Sequence, residues 1–153
     1  MLCNCQRSSG VVSNVPELVR DKLEAVTRIY PSTKYVCVVN SIGELIAALL
    51  VEETPSAEVL AAISALKRSA IQFASTLDQE DCPVMHLTGE TYMFSLYEVG
   101  EFLLAFYTEI SGSAFTTLDL SDADSREILE IVADLRLMLQ NVVIHSDNPS
   151  NKM

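Results

Sequence analysis

Few residues in this chain could carry chemistry, and they are scattered. There are two histidines, His86 and His145, and four cysteines, Cys3, Cys5, Cys37 and Cys82. A histidine serves nucleophilic catalysis only with a nucleophile in reach and a third group to orient its ring. His86 stands alone between Met85 and Leu87, and strand alternation puts it on the face opposite both. It reads as a surface or interface polar residue rather than a base. His145 lies in a polar stretch near the C-terminus. The Cys3-X-Cys5 pair starts a metal-ligand pattern, but it needs two further ligands at metal spacing and the histidines are distant in sequence, so no metal is expected. Cys37 sits inside an apolar run and reads as a small buried hydrophobe. Carboxylates are plentiful, but nothing in their spacing demands the convergent pair that acid–base hydrolysis uses. Gly10, Gly43, Gly89, Gly100 and Gly112 are dispersed, so there is no glycine-rich phosphate cradle. The expectation is a protein without a catalytic residue or cofactor: a binding module rather than an enzyme.

Charge narrows the partners. The 153 residues fit one domain with tails, and 49% hydrophobic content is enough to bury a core. The net charge of −11 argues against nucleic acid and against direct electrostatic binding to an anionic membrane. The excess is concentrated: residues 69–125 hold ten carboxylates and no Lys or Arg. Asp78, Glu80, Asp81 and Glu90 belong to that block and form a candidate acidic docking edge for a basic partner, which would speed association and weaken in salt. The first ten residues lack the apolar stretch of a signal peptide, and the longest apolar run, Leu45 to Val51, is far short of the roughly 20 residues that span a bilayer. A soluble, cytoplasmic protein is expected. The alternative is a peripheral one on an endosomal or lysosomal membrane, held by a complex or by acyl chains on Cys3 and Cys5. Leu2 excludes N-myristoylation.

The elements that must position these residues follow from periodicity. Residues 1–13 are a polar tail, 14–143 a domain and 144–153 a second tail. Asn14, Pro16 and Glu17 mark a helix start, and Pro31 its stop. Lys34–Asn40 and Glu44–Val51 read as two strands around an Asn40-Ser41-Ile42-Gly43 turn. Both are apolar at nearly every position, which implies burial on both faces. Thr54 as cap and Pro55 as first helical residue open a long helix to about Leu77. Its apolar stripe includes Val59, Leu60, Ile63, Leu66, Ala70 and Phe73. Pro83–Thr88, Thr91–Tyr97 and Phe102–Thr108 form a meander, because links this short cannot make parallel crossovers. Ser121 with Asp124 caps a last helix running to Val143. The fold class is α/β of the α+β kind: a five-stranded antiparallel sheet in the order α-β-β-α-β-β-β-α.

That order, with the segments YVCVVNSIGELIAALLV at 35–51 and MHLTGETYMFSLYEVGEFLLAFYTE at 85–109, resembles the roadblock/LC7 family over residues 14–143. Profilin and longin folds have similar layouts. The resemblance implies pairing of two copies, or of two related subunits, through the long second helix and the third-strand edge. Here that means Val59, Leu60, Ile63, Leu66, Ala70 and Phe73, with Val84 and His86. It implies a non-enzymatic adaptor or scaffold for a small Ras-like or Rag GTPase, as in Ragulator-like complexes or bacterial gliding regulators. The dynein light-chain type usually ends soon after the fifth strand, so a strong last helix favours the GTPase-scaffold group. A motor-complex subunit and a longin-type trafficking subunit are the alternative readings.

Overall fold

The computed structural model describes residues 17–109 and 126–140. Helix α1 spans Glu17–Ile29, strand β1 Thr33–Val39, strand β2 Leu45–Leu50 and helix α2 Ala57–Thr76. Strands β3 (Val84–Thr88), β4 (Tyr92–Val99) and β5 (Phe102–Glu109) follow, and residues 126–140 form helix α3. The element order is the one the periodicity predicts. The two tails, with Cys3, Cys5 and His145, lie outside the described residues, as do the expected helix starts at Asn14 and Ser121.

The five strands make one antiparallel sheet in the order β2-β1-β5-β4-β3. The β1–β2 hairpin and the β3–β5 meander are each local in sequence, and they meet where β1 pairs with β5. Central strands have both faces to bury. On one face Val36, Val38, Met93, Tyr97, Leu104 and Phe106 pack with Val19, Leu23 and Val26 of α1 and with Ile128, Leu135 and Leu139 of α3. On the other face Tyr35, Cys37, Val39, Leu96, Leu103 and Ala105 pack under α2. Unbroken apolar runs such as YVCVV are what this three-layer arrangement requires, since each successive side chain meets a helix. Lys22 Nζ of α1 donates to Asp134 Oδ2 of α3 at 2.7 Å and ties the two helices of one layer together. Tyr97, Phe106 and Tyr30 stack in series beneath them. No helix among the described residues is long and apolar enough to cross a membrane.

Two local features set how α2 meets the sheet. The first corrects the expected helix start. Thr54 is not the cap: Ser56 is, with extended φ/ψ and its Oγ accepting from Val59 N at 3.1 Å. Pro55 precedes the cap and is buried. Proline fits there because its fixed φ suits the extended approach and no amide is lost from the helix.

The second is the β1–β2 turn. Asn40 Oδ1 accepts from the amides of Ile42 and Glu44 at 3.1 and 2.9 Å, and the Gly43 amide donates to Asn40 O at 3.1 Å. Gly43 has φ of +90°, and a Cβ there would stand 3.0 Å from Leu60 O of α2. Glycine is thus needed twice, for its backbone angle and for the close approach of the turn to the helix. Gly43→Ala is expected to cost about 1–3 kcal/mol in urea unfolding, with the Asn40 turn amides exchanging faster than those of β5.

Candidate functional site

A sheet has two margins, and here they differ. Edge strand β2 lies beneath the α1 layer, with Ala47 in its core. Edge strand β3 is five residues long, and only Met85 among them is half-buried; the other four are exposed. Its outer side carries a row of backbone donors and acceptors that no described strand pairs.

The expected interface residues divide between two jobs. Ile63 is 2% exposed, and Val59, Leu60 and Leu66 pack against the same cluster, so this side of α2 holds the chain's own sheet. Ala70 is half-buried. Phe73 is 65% exposed, Val84 is 38% exposed and His86 is exposed. Ile71, Leu77 and Leu87 are also exposed and are not singled out by the helical stripe. Leu87 could have been found from strand alternation, which sets it with Met85. Ile71 and Leu77 could not, because only the observed tilt of α2 decides which flank of the stripe is left over.

A buried lysine, not foreseeable from its position in the apolar stripe, fastens β3 to α2. Lys67 lies in the stripe between Leu66 and Ala70, and it is 9% exposed. Its Nζ donates to Cys82 O at 2.6 Å and stands 3.6 Å from Asp81 Oδ1 and 3.7 Å from Glu98 Oε2. Glu98 N in turn donates to Pro83 O at 2.8 Å. The helix, the entry to β3 and the end of β4 are therefore joined at one ammonium group. The Cys82 amide donates to Asp81 and, with Lys67 adding to it, holds that carboxyl below its ordinary range; burial lifts Glu98 above its own.

Asp78, Glu80 and Asp81 precede β3 and Glu90 follows it, so the four exposed carboxylates bracket the strand from opposite ends. One of them, Asp81, is engaged with Lys67.

His86 faces the α1/α3 side, as alternation predicts, and shares a 2.9 Å hydrogen bond between Nδ1 and the Oγ of the fully buried Ser95. Its ring meets Tyr97 edge-on at 5.7 Å. Partial burial lowers its pKa below the usual 6.5, which keeps the ring neutral. The hydroxyl beside it, Ser95 Oγ, is fully buried and so out of reach of a substrate. Burial pushes the Cys37 thiol up to about 12, so it is inert at neutral pH. No group of three or more metal-ligating side chains exists among the described residues.

Two outcomes follow from this geometry. Lys67→Met keeps the stem and removes the charge-assisted bond to Cys82 O; it is expected to cost about 1–2 kcal/mol and to accelerate hydrogen exchange in β3 more than in β1 or β5. A histidine whose folded pKa is lowered destabilises the fold once the unfolded chain protonates. Stability should therefore hold above pH 7 and decline as pH drops below about 6.5, levelling off below the folded pKa. The thermal midpoint should be lower at pH 5.5 than at pH 7.5 in the native chain, and the difference should be smaller in His86→Gln.

No family profile and no curated protein matches the sequence. Solved structures do match the fold. One described as "MglB with tetrameric arrangement" superposes with a TM-score of 0.68 over 82% of this chain and 90% of its own, at 15% identity. MglB of Myxococcus xanthus gives 0.63 over 80% and 95%, at 13% identity. A roadblock/LC7 domain from Streptomyces avermitilis gives 0.61 over 78% and 95%, also at 13%. Each of these neighbours is matched over nearly its full length, and the chain has the roadblock/LC7 fold.

Proposed function

We propose that this chain is a non-enzymatic adaptor that pairs through the β3 margin and the adjoining C-terminal half of α2. Its partner in that pairing is a second copy or another roadblock-type subunit, and the joined sheet is a platform for a small Ras-like GTPase. The observation that carries the reading is the contrast between margins: β3 is a short, exposed edge strand with Val84 and Leu87 exposed on its two faces, and Phe73, Ile71 and Leu77 are exposed on the C-terminal half of α2 and just beyond it. Unpaired edges with apolar neighbours are aggregation hazards unless something covers them. Lys67 supports the same reading, because a strand that receives a partner must be held in register before the partner arrives.

The fold neighbours support it in kind. One is described by its tetrameric arrangement, which is consistent with a fold that assembles. The last helix favours the GTPase-scaffold reading over a dynein light-chain subunit. In α3, Ile128, Leu135 and Leu139 are fully buried against the sheet, so this helix is an integral layer of the domain. A GTPase would be regulated by differential contact: the platform binds one nucleotide state more tightly and shifts the population toward it.

Size-exclusion chromatography with light scattering should give a dimer at tens of micromolar, and Phe73→Glu should weaken it at least about tenfold with little change in the circular dichroism spectrum. A stable monomer at that concentration removes the pairing. Pull-downs with GDP- and GTP-loaded small GTPases test the second half. Binding to one state supports it, and no binding to either by a folded dimer leaves an adaptor of another kind.

A further inference from the structure

We propose that a groove at the N-terminal end of α2 binds the guanidinium group of an arginine carried by a partner protein. The site lies at the other end of the helix from the exposed Ile71, Phe73 and Leu77, and it shares Leu87 of β3 with the proposed pairing margin. Its volume is about 470 Å³. Four aromatic rings frame it, Tyr35 from β1, Tyr92 and Phe94 from β4, and Tyr107 from β5, with Pro55, Val59 and Leu87 completing the apolar wall.

Sheet register gathers the rings. Tyr35 pairs with Tyr107, and Phe94 pairs with Tyr107, so all three project to the α2 face. Tyr92 is two residues before Phe94 and shares that face. Centroids lie 5.6 Å apart for Tyr35 and Tyr107 and 6.2 Å for Tyr92 and Tyr107, with the rings tilted rather than closed on one another. Tyr35 is nearly buried and Tyr92 is 37% exposed, which makes one a floor and the other a rim. The β3–β4 turn is shaped around that rim: Tyr92 lies over Gly89 so closely that a Cβ there would meet its Cε1 at 2.3 Å.

Charge decides the occupant. No Lys or Arg lines the groove, and Glu53 stands on its edge. The neighbouring Lys34 is held by Glu52 and Glu109, whereas Glu53 enters no ion pair among the described residues. The positive end of α2 is offset by the Ser56 cap and by Glu58 in the first turn. A planar cation fits this combination: it stacks on tyrosine faces and takes a carboxylate in its fork, while a compact ammonium does only part of this. An anionic group would be repelled by Glu53 and by a chain of net charge −11, and a neutral group would gain nothing from that charge.

The test is a titration of the full chain, with tyrosine and phenylalanine rings labelled for NMR, by acetyl-Gly-Arg-Gly-amide up to the order of 10 mM. A second arm uses the neutral citrulline analogue, and a third a tetraproline peptide. Saturable shifts at Tyr35, Tyr92, Phe94 and Tyr107 are expected with the arginine peptide, weakening with salt and at least about tenfold weaker with citrulline. Glu53→Gln should weaken binding severalfold and remove most of the salt dependence. Gly89→Ala displaces the Tyr92 ring without replacing any lining residue, and should also weaken binding with the amide spectrum otherwise unchanged. Equal binding of arginine and citrulline, preference for tetraproline, or no shifts in the groove overturns the proposal.

Discussion

The structure depends on one constraint: β1 and β5 sit side by side in the middle of the sheet and must be dry on both faces. Val36, Val38, Leu104 and Phe106 turn one way, Cys37, Val39, Leu103 and Ala105 the other, and all eight are nearly or fully buried. No single helical layer can satisfy that. The chain brings α1 and α3 to one face and α2 to the other, and the long helix between the hairpin and the meander is the part that reaches the second face. Once it lies there, its inward side is committed to the sheet, and whatever it offers to other molecules comes from its flank and its ends.

Much of this was legible because the relevant signals are local. Runs such as KYVCVV and FLLAFY announce strands that are buried on both faces, and the Asn40–Gly43 turn is written in residue types that form it for known reasons. The cap of α2 was displaced by two residues, because Thr54, Pro55 and Ser56 are all plausible starters, and burial of Pro55 decided among them. Less legible was which part of the α2 stripe is spent internally. Val59, Leu60, Ile63 and Leu66 look the same in sequence whether they meet their own sheet or a neighbour's, and only the sheet beneath them distinguishes the two.

Lys67 illustrates a different limit. In a helical wheel it interrupts an apolar stripe and looks like a flaw, yet a buried ammonium is tolerable when carbonyl and carboxylate oxygens meet it. Those oxygens come from Cys82, Asp81 and Glu98, which are 14 to 31 residues away in the chain. The same holds for the aromatic groove, whose rings come from three strands. Constellations assembled by register are invisible until the register is known.

The junction of β1 with β5 has a temporal consequence. Residues 33–39 wait for residues 102–109, so the pairing that completes the sheet closes a loop of more than sixty residues. Hairpin and meander can each zip locally, but their union is the slow, non-local event that limits how fast the domain forms. During synthesis the apolar hairpin leaves the ribosome well before its permanent neighbour exists. Helix α1, made before it, can cover one face; the helix that follows is the first cover for the other, which gives α2 a protective task in the nascent chain before it has an architectural one.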